Sequence, residues 1–279
     1  MRLIALSLSL LSFAMLSACD TPPDIESELK DLNVLDETDL SDLMLTVADP
    51  NEAVAYFSRT SLQYPDRIDV RRNLALSLNR AKLHERAATT WADVVKMKGA
   101  TPEDGVQHAG SLIRNGQWAE AKAVLNQIPP THETYDRYRF EAMIADANKD
   151  WVRADSFYEI AAGLTTTPAS IYNNWGFSNL NRGNYNRAER LFEDALRYEP
   201  SLFTAKNNMA LARAKQRNYT LPLIKMTQLE RAQLLYTLGL SAVKQRDVNT
   251  GRELLLEAVA THPQYFEEAE RALSALGNG

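Results

Sequence analysis

The 279-residue chain has one cysteine, four histidines, eleven glycines and eleven prolines. A single cysteine excludes a disulfide within the chain, and with no cysteine pair to join the histidines it also excludes the common structural zinc sites. His84, His108, His132 and His262 do not fall in an HExxH spacing, and G-x-S-x-G, P-loop and G-x-G-x-x-G signatures are missing. No catalytic residue, metal ligand or cofactor is therefore expected. There is no block rich in Lys and Arg, and the isoelectric point is near 5.5, which argues against nucleic acid as a partner. No apolar run reaches the roughly 20 residues that a membrane-spanning helix needs. Sparse glycine, no alternation of β-branched with polar residues, and an abundance of Ala, Leu, Arg, Glu and Asn predict an all-α chain.

The place of the lone cysteine is informative. Met1 and Arg2 precede Leu3 to Met15, an almost wholly apolar run that reads as an export signal, with small residues at Ser17 and Ala18 to suit a peptidase. Leu16, Ser17, Ala18 and Cys19 resemble the bacterial lipobox. The resemblance implies that residues 1–18 are a lipoprotein signal peptide, cut off before Cys19, and that Cys19 carries acyl chains. Each buried methylene of such a chain contributes about 0.8 kcal/mol, so more than one chain anchors stably. The periplasmic side of a bacterial membrane follows. Asp20 resembles the enteric signal for retention in the inner membrane, so both membranes stay open.

Charge is distributed unevenly. Asp20 to Glu52 holds eleven Asp and Glu against Lys30 alone, whereas the remainder from Ala53 carries 29 basic and 25 acidic residues. An arm of one sign repels itself and extends, and Pro22 and Pro23 stiffen its start, so residues 19–33 are expected to be an acidic tether. From about Ile25 onward, leucine and valine also fall at helical spacing, which leaves open a solvated helix face instead.

Self-similarity decides the architecture. The stretch Ala169 to Leu202 places Tyr172, Trp175, Gly176, Gly183, Tyr185, Ala188, Phe192, Ala195 and Pro200 in a pattern that resembles the tetratricopeptide repeat, a helix-turn-helix of 34 residues. In that register position 8 recurs as Ser41, Ala75, Ala109, Ala142, Gly176, Ala210 and Gly239, and position 20 as Ala53, Ala87, Ala121, Ala154, Ala188, Pro222 and Gly251. Both columns step together by 34, 34, 33, 34, 34 and 29 residues. Small residues belong where the two helices of a repeat approach most closely, with bulk around them: Phe57, Trp91, Leu125, Tyr158, Phe192 and Leu255 at position 24, and Trp118, Trp151, Tyr185 and Tyr219 at position 17. All of these aromatics are expected to be core. Pro65, Pro200 and Pro263 stand just beyond second helices, where proline cannot continue them. The resemblance implies a right-handed superhelical solenoid of about seven repeats over residues 34–264, closed by a capping helix and tail over 265–279.

The sixth repeat departs from the pattern. Pro222 stands at its small position, the next repeat comes five residues early, and Thr227 to Glu230 spells a capping box. A shortened second helix is expected there, with a bend or opening near Leu221 to Met226.

The repeat resemblance also implies a binding surface, because first helices line a concave groove that holds peptides at positions 2, 5, 6, 9, 12 and 13. Carried over, position 6 offers Asn73, Gln107, Asn174 and Asn208, and position 13 offers Arg80, Arg114, Asn181, Lys215 and Lys244. Asparagine can both donate and accept along a backbone, while Lys and Arg can pair with a carboxylate. Asn174, Asn208 and Lys215 resemble part of the carboxylate clamp of chaperone-binding members. Leu76, Met143, Phe177, Leu211 and Leu240 add apolar contact for a helix or strand. Lipobox, acidic leader and degenerate repeats together resemble the TadD family of lipoproteins in tight-adherence (Flp) pilus assembly. That likeness implies a non-enzymatic scaffold whose partner is a protein, the pilus secretin. A scaffold for outer-membrane protein assembly, polysaccharide export or cell division is the alternative.

Overall fold

The computed structural model describes residues 40–277, which are helical wherever they are regular. Cys19 and the acidic tether lie outside the described residues. A helical stretch over 40–46 (α1) is followed by α2 (Pro50–Gln63), α3 (Ile68–Arg80), α4 (His84–Val94), α5 (Pro102–Arg114), α6 (Trp118–Leu125), α7 (Tyr135–Ala147) and α8 (Trp151–Gly163). Then come α9 (Ala169–Asn181), α10 (Tyr185–Tyr198), α11 (Phe203–Lys215), α12 (Gln228–Lys244), α13 (Val248–Thr261) and α14 (Glu267–Gly277). Helices α3/α4, α5/α6, α7/α8, α9/α10 and α12/α13 pair as antiparallel hairpins, and α14 packs on α13 through Phe266 and Ala269.

The small columns mark the contact inside each hairpin. Ala53, Ala75, Ala87, Ala109, Ala121, Ala142, Ala154, Ala188 and Ala210 are all 0% exposed. A methyl group added at Gly176 would come within 2.6 Å of the Phe192 ring, and one added at Gly251 within 2.9 Å of the Gly239 carbonyl oxygen. Real carbon contacts do not come this close, so the helices can touch only where the side chain is missing. The bulky column at position 24 is buried around the contact, from Phe57 to Leu255.

The turns that leave α3, α5, α7, α9, α11 and α12 share one geometry. Position 15 takes a left-handed conformation at Lys82, Gly116, Lys149, Gly183, Arg217 and Arg246, with φ between 59° and 83°. The next residue's N–H reaches back five residues, for example from Leu83 to the Leu78 carbonyl at 2.9 Å and from Asp150 to Ala145 at 2.9 Å. This Schellman closure satisfies carbonyls that the helix end leaves bare.

The sixth repeat lacks its second helix altogether. Residues 216–227 form an irregular strap instead, so the shortened helix expected from the sequence is replaced, not merely trimmed. Pro222 is buried where the second helix would run, and Leu221 and Met226 pack with Ala210, Ala214, Leu234 and Leu238 between α11 and α12. Proline supplies no N–H, and φ locked near −65° leaves the rest of the strap to wind over the core. The capping box then starts α12: Thr227 N–H donates to Glu230 at 2.7 Å and Glu230 N–H to the Thr227 hydroxyl at 3.2 Å.

Candidate functional site

First helices lie side by side along one face of the solenoid, and a polar bond joins each to the next. Asn79 donates to Ser111 at 2.8 Å, Gln107 to Asp136 at 3.2 Å, Ser178 to Asp146 at 2.6 Å, Asn208 to Asn173 at 3.1 Å, and Thr237 to Asn207 at 2.8 Å. The ladder links α3, α5, α7, α9, α11 and α12 in order. Buried ion pairs reinforce it. Arg72 forks onto Asp104 at 2.6 and 2.7 Å, and Lys206, only 3% exposed, reaches Glu230 at 2.8 Å.

This ladder changes the reading of several residues singled out from the sequence. Asn208 is buried and bonded to Asn173, so its amide serves the α9–α11 contact. The Arg80 guanidinium donates to the Met44, Leu45 and Ala48 carbonyls at 2.8, 2.6 and 2.9 Å, which ties down the end of α1. Both were read as groups offered to a partner, and both are engaged by the fold. Gln107 is likewise held by Glu103 and Asp136. Asn73 and Asn174 are half-buried with no side-chain hydrogen bond among the described residues, whereas Arg114, Asn181, Lys215 and Lys244 are exposed at the groove edge. Arg114 and Arg139 both lie over the Phe140 ring, at 5.9 and 4.4 Å from its centroid.

The groove's open chemistry is apolar along its middle. At position 9, Leu76, Phe177 and Leu240 are 37%, 48% and 39% exposed, with Met143 and Leu211 partly buried between them. Around Met143 and Phe177 the face deepens into a hollow of about 330 Å³ bounded by Trp118, Asp146, Trp151, Tyr158, Asn174, Ser178 and Asn181. The two tryptophans correct the expectation of core packing. Trp118 is 37% exposed and Trp151 half-buried, and they form a wall of the hollow. Each stands at the start of a second helix, beside a tight turn, where the interior is too shallow to cover an indole. Tyr185 and Tyr219 at the same register pack against core clusters.

A charged network lies behind this wall. Trp175 donates through Nε1 to Asp155 at 2.6 Å, and Arg182 forks onto the same carboxylate at 3.1 and 2.5 Å while its guanidinium lies 5.2 Å from the Trp151 ring. Burial pushes the Asp155 pKa up, but the Arg182 and Trp175 bonds outweigh it and hold the group below its ordinary range. At Asp146 burial prevails: bonds from Ser178 and Tyr158 offset it only in part, and its pKa is raised. Among the described residues no three His, Cys, Asp or Glu side chains converge as metal ligands, and no helix is long and apolar enough to cross a membrane. The arrangement offers shape, apolar area and hydrogen bonds for holding another chain.

Residues 38–104 and 176–221 match the tetratricopeptide repeat family, and the second match ends inside the strap. No curated protein matches the sequence. The fold is similar to the Cut9–Hcn1 assembly of the APC/C (TM-score 0.58, 15% identity, 82% of this chain and 46% of that one), so the chain spans less than half of that relative. It is also similar to a tetratricopeptide repeat protein from Parabacteroides merdae (TM-score 0.55, 13% identity, 91% and 98% covered) and to pilF of Pseudomonas aeruginosa (TM-score 0.52, 15% identity, 75% and 97% covered). With its paired helices, its small-residue contacts, the two stretches that match the repeat family and these shared folds, the chain has the fold of a tetratricopeptide-repeat solenoid.

Proposed function

We propose that this protein is a non-enzymatic scaffold that holds a segment of a partner protein in its concave groove, tethered to the periplasmic side of a bacterial membrane through lipid on Cys19. The partner proposed is the secretin of the Flp pilus. The single observation that carries the groove assignment is the apolar row at position 9, which stays exposed and deepens into the hollow between Met143 and Phe177. Solvent-facing apolar surface of this kind, rimmed by polar side chains, is the mark of a protein-binding surface. Membrane attachment rests on the order Leu16, Ser17, Ala18 and Cys19, and the pilus partner on the likeness to the TadD layout. Asp20 favours the inner membrane and a secretin partner the outer, so fractionation of the two membranes decides between them.

Phe177→Asp tests the groove. The side chain is 48% exposed, so the fold tolerates the change, while a charge in the middle of the row repels an apolar partner face. Loss of an anchor of this size weakens binding roughly thirtyfold or more, as the loss of about 2 kcal/mol does. Co-purification of the secretin from detergent extracts should fall accordingly, with the circular dichroism spectrum unchanged. Full recovery of the secretin with the variant would refute the groove as its binding surface.

A further inference from the structure

The hollow has apolar walls and an acidic floor. Buried and half-buried carboxylates elsewhere in the solenoid have a cation: Asp104 has Arg72, Asp155 has Arg182, and Glu230 has Lys206. Asp146 has none within ion-pair distance among the described residues. Its Oδ1 accepts from the Ser178 hydroxyl at 2.6 Å and its Oδ2 from the Tyr158 hydroxyl at 2.8 Å, and both donors are neutral. A carboxylate oxygen has two lone pairs, so one acceptor site on each oxygen stays open. Arg182 does not fill them, because it is forked onto Asp155 and reaches only the Ser178 oxygen, at 2.9 Å. A partly desolvated carboxylate with two free acceptor sites, facing an aromatic hollow, has no cation bonded to it, and the Arg182 charge acts on it only from behind Ser178.

The geometry points to an arginine side chain of the bound partner as the occupant of this hollow, its stem along Met143 and Phe177, its guanidinium flat on the Trp118 indole and forked onto Asp146. Arginine fits better than lysine on two counts. Its planar fork carries two parallel donors for the two open acceptor sites, and a flat guanidinium stacks on indole, where an ammonium is a point charge with a tight hydration shell. The chain itself places arginine on tryptophan twice, Arg182 at 5.2 Å from Trp151 and Arg187 at 5.0 Å from Trp175. This inference rests on the groove reading above and adds the chemistry of what enters it.

The test uses the full chain in detergent, labelled with 5-fluorotryptophan and followed by fluorine NMR. The probe is N-acetyl-arginine amide, compared with the isosteric but neutral N-acetyl-citrulline amide, with the lysine analogue and with N-acetyl-norleucine amide. The arginine probe should shift the Trp118 signal saturably and leave Trp91 in α4 unmoved. Citrulline and norleucine should bind about tenfold more weakly or worse, the worth of a charge-assisted over a neutral bond. Asp146→Asn should abolish the preference for arginine. Because that change also touches Ser178 and Tyr158, Trp118→Leu serves as a second variant, read through the fluorine signal of Trp151 in the same hollow: it leaves the carboxylate in place, keeps the helical spectrum and weakens arginine binding. Equal binding of citrulline and arginine by the natural chain, or a norleucine probe that binds best, would overturn the inference. If Asp146→Asn retains the secretin while Phe177→Asp loses it, the arginine inference falls and the groove reading stands. Retention by both variants would sink both.

Discussion

Two substitutions of glycine by alanine should differ clearly in their effect on stability. Gly251 stands in the first turn of α13 against Gly239 of α12, so the backbones of these two helices approach without any intervening side chain. An added methyl would meet the Gly239 carbonyl oxygen at 2.9 Å and the Val243 nitrogen at 3.1 Å, besides the Val243 Cγ2. A side chain can rotate away, but a helix backbone moves only as a body. Overpacking of this kind costs about 1–3 kcal/mol, against a gain of about 1 kcal/mol from replacing glycine inside a helix. Gly251→Ala should thus be neutral to destabilising by about 2 kcal/mol. Gly163, the last residue of α8, has nothing within 4 Å of the added methyl, so Gly163→Ala keeps only the gain. The gap between the variants is about 1–3 kcal/mol, and at about 2–4 °C per kcal/mol it is plain in a thermal melt followed by circular dichroism. Hydrogen exchange in α13 localises the loss. Equal rises in melting temperature for both variants would refute the close approach at positions 8 and 20.

Arg80→Met removes three charge-assisted bonds to the end of α1, and residues 40–48 should then exchange their amides faster by the equivalent of about 1–3 kcal/mol, with α5 to α14 unchanged; a protection pattern identical to the parent's would contradict the anchoring role. Asp104→Asn breaks the buried bond to Arg72 and should cost about 1–3 kcal/mol at neutral pH. Burial raises the Asp104 pKa, but the bonds from Arg72 and Thr101 outweigh it and leave the carboxyl below its unfolded value of 3.8. Its stabilisation is therefore present above that value and lost as pH falls through the lower folded pKa, so the gap between parent and variant in urea titrations should close in acid. A gap that persists unchanged at the acid end would show that the ion pair is not its source.

The regular parts of the fold were legible because they are repeated. Two small columns in one register located the helix contacts, since only one kind of side chain fits there. The turns were only half visible: Gly116 and Gly183 announce a left-handed residue, but Lys82, Lys149, Arg217 and Arg246 adopt the same conformation without a glycine to signal it. Their shared position 15 was the available clue. The groove was harder. Position 6 gave polar residues, but periodicity does not say whether an amide faces solvent or the neighbouring helix, so Asn208 and Asn174 look alike in sequence and differ in the structure. Trp118 and Trp151 were read as core because most aromatics are, although their place beside a turn leaves too little interior to cover them. Pro222 signalled trouble in the sixth repeat, but a single proline does not distinguish a short helix from none.

The missing outer helix has a consequence for cooperativity. A solenoid holds together as a linear series of units, each contributing its own stability and a term for each neighbour it touches. At α11 one unit has lost half its mass, and the chain crosses to α12 through a strap of irregular backbone. The joint between the block ending at Lys215 and the block that begins at Gln228 therefore depends on what replaces the helix: Leu221 and Met226 of the strap and the bond from Lys206 to Glu230. Substitutions that loosen the strap would uncouple the two blocks, and a guest lying across both would act as a splint.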